Sequence, residues 1–154
     1  MSKIKHIYLN EYPYMITTVT RRRVPLFNDP FAADVVLRSI LFGRRQNWYK
    51  LLGFVVMPDH LHLIIIPGDK NVSEGMKSLK AFSARKINSL FCGKGSIWQR
   101  GFYDYILETE EKVISRIRYI EENPLRKGLV DNLEDYKYSS ARFREETDLE
   151  NIFY

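Results

Sequence analysis

Residues 55–67 have the sequence VVMPDHLHLIIIP, in which two apolar runs flank a Pro-Asp turn and the second run carries two histidines. The runs are rich in β-branched residues, which is typical of strands, and a turn this short predicts an antiparallel hairpin. Successive strand side chains point to opposite faces, so His60 and His62 share one face of the sheet. Two imidazoles on one rigid strand form half of a metal site.

A third candidate ligand lies far along the chain, where a predicted helix ends in IRYIEENP, residues 117–124. Val113, Ile117 and Ile120 follow helical i, i+4, i+7 spacing, which predicts the face that packs on the core. The other face then carries Ser115, Arg116, Tyr119, Glu122 and Asn123. Tyr119 and Asn123 are one turn apart, with Cβ atoms about 5–6 Å from each other, so both can serve one chemical centre.

The length and composition are those of one globular domain, residues 1–154, with 45% hydrophobic and 28% charged residues. A single cysteine, Cys92, excludes an internal disulfide. The N-terminus has no apolar signal core, and the longest apolar stretch, 61–67, is too short to cross a bilayer. We therefore expect a cytoplasmic protein. A net charge of +5 and a pI near 9.3 favour a polyanionic partner, although many basic proteins bind none.

The order of predicted elements is strand, helix, strand, strand, helix, strand, helix. The predicted strands are 8–20, 48–57, 60–67 and 103–108, and the predicted helices are 30–47, 71–90 and 110–122. The first six elements spell βαββαβ, the ferredoxin-like α+β arrangement, with two helices on one face and the first and third strands central. Residues 129–130 and 136–140 are expected to pack on the domain, followed by a polar end.

Several residues are candidates for contacts to nucleic acid. They are Arg21, Arg22 and Arg23 after the first strand, Lys77, Lys80 and Arg85 on the basic side of the second helix, and Trp98 with Arg100 before the last strand. Solvated surface is the commoner explanation of such charges, and contact with a phosphate backbone is the alternative. The Trp98 and Phe102 rings can stack on unpaired bases, but aromatics beside a strand also fill cores.

Four motifs in order resemble those of the REP-associated tyrosine transposases, a branch of the single-tyrosine HUH transposases. They are MPDHLH at 57–62, IWQR at 97–100, RYIEENPLR at 118–126 and DYKYSS at 135–140. The resemblance extends from about Ile16 to Ser140. It implies a ferredoxin-like HUH fold with a C-terminal tyrosine-bearing helix. It also implies a substrate of single-stranded DNA with hairpin structure, and strand cleavage and joining through a covalent 5′-phosphotyrosine.

The same resemblance assigns roles to four residues of this chain. His60 and His62 match the two metal-binding histidines, and Asn123 matches the helix position of a third ligand, where relatives often have glutamine. Tyr119 matches the nucleophile. Four other tyrosines do not match that position: Tyr103, Tyr105, Tyr136 and Tyr138. Glu121 is at a position that is also acidic in the family, and no chemistry is assigned to it.

The implied cofactor is Mg²⁺ or Mn²⁺, since two imidazoles with an amide oxygen suit manganese and either ion can activate a phosphodiester. Zinc is disfavoured because no cysteine accompanies the pair and a phosphate needs an open position. Relatives include monomers and homodimers that exchange the tyrosine helix. Two alternatives remain: a non-catalytic ferredoxin-like RNA- or DNA-binding module with incidental histidines, and a degenerate transposase that binds DNA without cutting it.

Overall fold

The computed structural model describes residues 12–153, and in these residues the predicted order of elements is confirmed. Residues 8–11 of the first predicted strand lie outside the described part. The elements are β1 Tyr14–Val19, α1 Pro30–Arg45, β2 Tyr49–Met57, β3 His60–Pro67, α2 Val72–Phe91, β4 Tyr103–Ile106, α3 Glu110–Glu121, α4 Asn123–Arg126 and α5 Leu149–Phe153. Short 3-10 turns lie at 21–23, 26–28, 133–135 and 144–146.

The described strands form one antiparallel sheet in the order β2-β3-β1-β4. β1 and β3 are therefore central, as the βαββαβ topology predicts. The register places His62 opposite Thr17 of β1 and Val55 of β2, and places His60 opposite Met57. The histidine pair thus lies in the middle of the sheet, at the end of β3 that follows the hairpin turn.

The two faces of the sheet are covered by different helices. Alternation along the strands sends Ile16 and Leu63 to the face covered by α1 and α2, and Met15 and Ile64 to the face covered by α3. The α3 face also buries Val113, Ile117, Ile120, Leu149 and Ile152. The predicted ferredoxin-like α+β fold, with α1 and α2 on one face, is confirmed.

The starts of α1 and α2 follow from capping residues recognised in the sequence. The Asp29 carboxylate accepts hydrogen bonds from the backbone N–H groups of Phe31 at 2.8 Å and Ala32 at 3.4 Å, ahead of a proline in the first turn. Asn71 and Glu74 form the predicted capping box, with reciprocal bonds of 2.8 and 3.0 Å.

The C-terminal tail packs on the domain more extensively than expected. The Val56 N–H donates to the Tyr138 carbonyl at 2.8 Å, and the Ser140 N–H donates to the Phe54 carbonyl at 2.9 Å, so the tail extends along β2. The expectation of a purely polar end was wrong, because Leu149 and Ile152 are buried. The expected packing of residues 129–130 was wrong for Leu129, which is exposed. None of the helices in residues 12–153 has the length and apolarity to cross a membrane.

Candidate functional site

The two histidines project together from β3, as their spacing predicts. Their ring centroids are 4.8 Å apart and the rings are nearly perpendicular. They lie on the face of the sheet that carries Met15 and Ile64, the face covered by α3. The helix that bears Tyr119 and the histidine pair therefore share one side of the molecule.

Each imidazole is oriented by a partner at its Nδ1 atom. The His60 Nδ1 lies 2.7 Å from the Asp59 carboxylate, which accepts a hydrogen bond from the Nδ1–H and leaves the Nε2 lone pair available. The His62 Nδ1 lies 2.8 Å from the Thr17 hydroxyl on β1. Histidines that bind metals usually have a carboxylate or other polar partner at the second ring nitrogen. The pair therefore has the orientation of a metal-binding pair.

The environment of His62 keeps its ring neutral at pH 7. Burial, together with the smaller effects of the nearby charges of His60 and Arg126, lowers the pKa of His62 to about 4. A histidine must be neutral to offer a lone pair to a cation, so metal binding at pH 7 need not displace a proton from this ring.

Helix α3 presents Tyr119 away from the core. Thr109 caps the helix by accepting a hydrogen bond from the Lys112 N–H at 3.2 Å. Val113, Ile117 and Ile120 are buried as predicted, whereas the side chain of Tyr119 is 47% exposed. The phenol is thus open to a large ligand, which a core-filling tyrosine would not be.

Two guanidinium groups stack on the Tyr119 ring. Arg116 lies 4.9 Å and Arg126 lies 4.1 Å from the ring centroid. The Arg126 Nη2 also donates to the Tyr119 carbonyl at 2.6 Å, and its charge contributes to the lowered pKa of His62. Arg126 therefore contacts both the ring and the backbone of Tyr119. Sequence reasoning assigned it no role, although it lies in the motif RYIEENPLR.

Asn123 occupies a different setting from the one predicted. Helical spacing placed it with Tyr119, away from the core-packing face, but Asn123 is only 6% exposed. Asn123 begins α4 shortly after α3 ends, and its role as a third ligand stays a prediction. Within residues 12–153 no three or more His, Cys, Asp and Glu side chains cluster as metal ligands.

The basic candidates for DNA contact separate into two groups. Arg21, Lys77 and Arg100 line a groove of about 670 Å³ between α2 and residues 96–102, and all three are exposed. Lys80 lines the same groove, but its ammonium donates to the carbonyls of Gln99 at 2.8 Å and Gly101 at 2.7 Å. Burial lowers the pKa of Lys80. Lys80 thus holds the loop in place as well as facing the groove.

The other arginines lie outside that groove. Arg85 is exposed on α2. Arg22 and Arg23 have positive φ angles of 59° and 57°, which are uncommon for residues other than glycine and are often found at functional sites. The Arg23 guanidinium lies 3.2 Å from Asp59, the residue that orients His60, so the arginine cluster is adjacent to the histidine site.

Trp98 is a core residue in this structure. Its side chain is 3% exposed, its ring packs 5.3 Å from that of Phe27, and its indole N–H donates to the Ser83 hydroxyl at 2.9 Å. A ring enclosed in this way cannot stack on a base without a rearrangement. Of the two interpretations of Trp98, the burial supports core packing.

The comparisons with known proteins agree with this geometry. A family model described as "Transposase IS200 like" matches residues 8–123, well over half of the chain. The chain belongs to the IS200-like transposase family. This transposase is 24% identical over 143 residues to a REP-associated tyrosine transposase of Escherichia coli (strain K12), covering 91% of this chain and 82% of that protein.

Other relatives and solved structures give the same result. A putative REP-associated tyrosine transposase of Haemophilus influenzae is 26% identical over 103 residues, 60% of this chain and 58% of that one. The solved structure of a REP-associated tyrosine transposase bound to a REP hairpin has a TM-score of 0.72 at 23% identity, covering 93% and 84% of the two chains. A putative transposase of Deinococcus radiodurans has a TM-score of 0.52 at 27% identity, covering 75% and 92%. The resemblance stated from the motifs is confirmed.

Sequence reasoning missed two further features of the transposase. Glu121, to which no chemistry was assigned, is buried and pairs with Arg144 of the tail at 2.7 Å. Tyr103 and Tyr105 of the edge strand β4 are exposed on the same face as the histidine pair, since they lie opposite Thr17 and Met15. Strand alternation could have predicted the second feature once the register was known, but no local signal predicts the first.

Proposed function

We propose that this transposase cleaves and rejoins single-stranded DNA through a covalent 5′-phosphotyrosine on Tyr119. In this proposal His60, His62 and Asn123 hold Mg²⁺ or Mn²⁺. The observation that supports the proposal is the exposed Tyr119 phenol on α3, the helix that covers the sheet face from which the two oriented histidines project.

The donor set fits a hard or borderline divalent cation. Two imidazoles have their Nδ1 atoms engaged by Asp59 and Thr17, so each can offer Nε2 to the metal. The neutral ring of His62 needs no deprotonation at pH 7. An amide such as that of the buried Asn123 offers an oxygen ligand, which Mg²⁺ and Mn²⁺ accept.

The chemistry is a transesterification that conserves one phosphodiester bond. The Tyr119 oxygen attacks phosphorus, an O–P bond forms, and the bond from phosphorus to the 3′ oxygen breaks. The proton lost by the phenol is balanced by the proton gained by the 3′ oxygen. The cation, when bound, polarises a phosphoryl oxygen and stabilises the leaving 3′ oxygen. Because the phosphotyrosine retains the bond energy, a new 3′ hydroxyl can reverse the step and join strands.

The surface around the site supports a DNA substrate with a hairpin. Exposed Arg21 and Arg22 lie after β1, near the histidine end of β3, and exposed Tyr103 and Tyr105 lie on the histidine face. Cations bind phosphates and exposed aromatic rings stack on unpaired bases. The relatives named for REP sequences, one of them solved with a REP hairpin, favour a similar hairpin as the ligand of this chain.

The proposal is tested by incubating the protein with Mn²⁺ and a labelled hairpin that carries a single-stranded flank. We expect an adduct that survives denaturation in the wild type and not in Tyr119→Phe, because that variant loses only the attacking oxygen. Tyr12→Phe, which alters another exposed tyrosine, is the matched control and keeps the adduct. An adduct that persists in Tyr119→Phe assigns the nucleophile to another residue.

The non-catalytic alternatives give a different outcome. A binding module or a degenerate transposase retains the hairpin in an anisotropy assay but forms no adduct in the wild type. Binding without an adduct under Mg²⁺ and Mn²⁺ therefore refutes the proposed cleavage and leaves the family assignment intact.

A further inference from the structure

The Arg126 guanidinium lies against the ring of Tyr119, the proposed nucleophile. Arg126 ends the short helix α4, seven residues after Tyr119, and folds back so that its guanidinium lies 4.1 Å from the Tyr119 ring centroid. The Nη2 donates to the Tyr119 carbonyl at 2.6 Å. Two contacts to one residue fix the guanidinium plane beside the phenol.

The Arg126 side chain is about two fifths exposed, so its guanidinium is open to a ligand while it lies against the Tyr119 ring. The Arg126 Nη1 lies 4.0 Å from the carboxylate of Glu122, which is long for an ion pair. The Glu122 side chain is about two fifths exposed as well. An ion pair of this length and exposure is weak and easily exchanged for a stronger anion.

We propose that Arg126 binds the phosphate that Tyr119 attacks. This inference rests on the proposed function and adds a residue to it. A planar guanidinium can donate two parallel hydrogen bonds to a phosphodiester, and a lysine cannot match that geometry. As the Tyr119 oxygen bonds to phosphorus, negative charge on the phosphoryl oxygens increases, and a fixed cation stabilises it. Arg126 keeps its proton throughout, so the atoms and charges of the transfer are unchanged.

The inference is tested on the full chain with Arg126→Ala and Arg126→Lys, and Lys127→Ala is the matched control because it removes an exposed cation one residue away. We expect Arg126→Ala to lower the single-turnover rate of adduct formation about 100-fold or more. The rate of Arg126→Lys is expected to lie between those of Arg126→Ala and the wild type. Added guanidinium is expected to raise the rate of Arg126→Ala at least about 10-fold. Lys127→Ala reacts within about threefold of wild type.

Two measurements separate phosphate binding from a structural role. The first is the salt dependence of binding to the hairpin with its single-stranded flank, measured without metal. In a plot of log affinity against log salt concentration, Arg126→Ala is expected to reduce the steepness of the slope by about one, as a lost phosphate contact does. The second is calorimetry, which is expected to show no loss of Mn²⁺ affinity in Arg126→Ala, since all three proposed metal ligands are retained.

Four results count against the inference or the proposed function. A wild-type rate in Arg126→Ala overturns the inference, as does a loss of Mn²⁺ affinity in step with the rate and without rescue. If the wild type forms no adduct, the proposed function fails instead. The metal-free salt dependence then still decides whether Arg126 contacts phosphate, and an unchanged slope overturns the inference.

Discussion

Removing Arg144 is predicted to destabilise the protein through the buried carboxylate of Glu121. The Arg144 Nη2 donates to both Glu121 oxygens at 2.7 Å, and the Ser140 hydroxyl also donates to that carboxylate. The side chain of Glu121 is 9% exposed and that of Arg144 is 33% exposed. The substitution Arg144→Leu therefore leaves a charge in the interior without its cationic partner.

The magnitude follows from the exposure of the two partners. Removing one member of a fully buried pair costs about 3–5 kcal/mol. Arg144 is partly solvated, and its Nη1 is buried with no hydrogen-bond partner among residues 12–153, so removing it also relieves a cost. We therefore expect a loss of about 2–3 kcal/mol in the free energy of unfolding. For a protein of this size that corresponds to a fall in Tm of about 4–12 °C.

Urea unfolding of Arg144→Leu, Glu121→Gln and the double variant measures this interaction as a double-mutant cycle. Arg38→Leu is the control, because it breaks the exposed Arg38–Asp34 pair and should cost no more than about 0.5 kcal/mol. If Arg144→Leu unfolds within about 0.5 kcal/mol of wild type, or if the coupling between Glu121 and Arg144 is near zero, the reasoning is refuted.

Two predictions concern the histidines. His60→Ala is expected to abolish measurable Mn²⁺ binding in calorimetry, because one imidazole is lost; an unchanged affinity contradicts the proposed site. Without metal, the wild type is expected to lose stability as the pH falls from about 6.5 to 4. In the unfolded chain the His62 side chain becomes protonated below about pH 6.5, whereas in the folded protein it stays neutral down to about pH 4. The loss is at most about 1.4 kcal/mol per pH unit. His62→Gln should lack this contribution. Urea unfolding at about pH 7 and about pH 4.5 measures the loss of stability in both proteins, and an equal loss in the wild type and the variant contradicts the prediction.

The local features of the fold were predictable from the chain. The hairpin follows from a Pro-Asp turn between two apolar runs, and the helix starts follow from Asp29 and from the Asn71–Glu74 box. The shared face of His60 and His62 follows from the period of two in a strand. Each of these signals depends on residues within a few positions of one another.

Predictions that extended a local pattern past its end did not anticipate burial. Helical spacing placed Asn123 away from the core-packing face, but it is buried at the start of α4, shortly after α3 ends. The polar appearance of the last residues hid Leu149 and Ile152, which fill the second core. A periodic pattern cannot indicate where a neighbouring element interrupts it, since the interruption comes from packing.

The amino-acid sequence by itself determined the order of strands and helices, the topology, the histidine pair and the family. Only the tertiary structure decided that Arg126 lies against the Tyr119 ring, that Thr17 orients His62 across 45 residues, and that Trp98 is enclosed. The physical reason is separation along the chain. Backbone propensity and side-chain period act over a few residues, whereas contacts between distant residues exist only after the strand register and the seating of α3 on the sheet have been established.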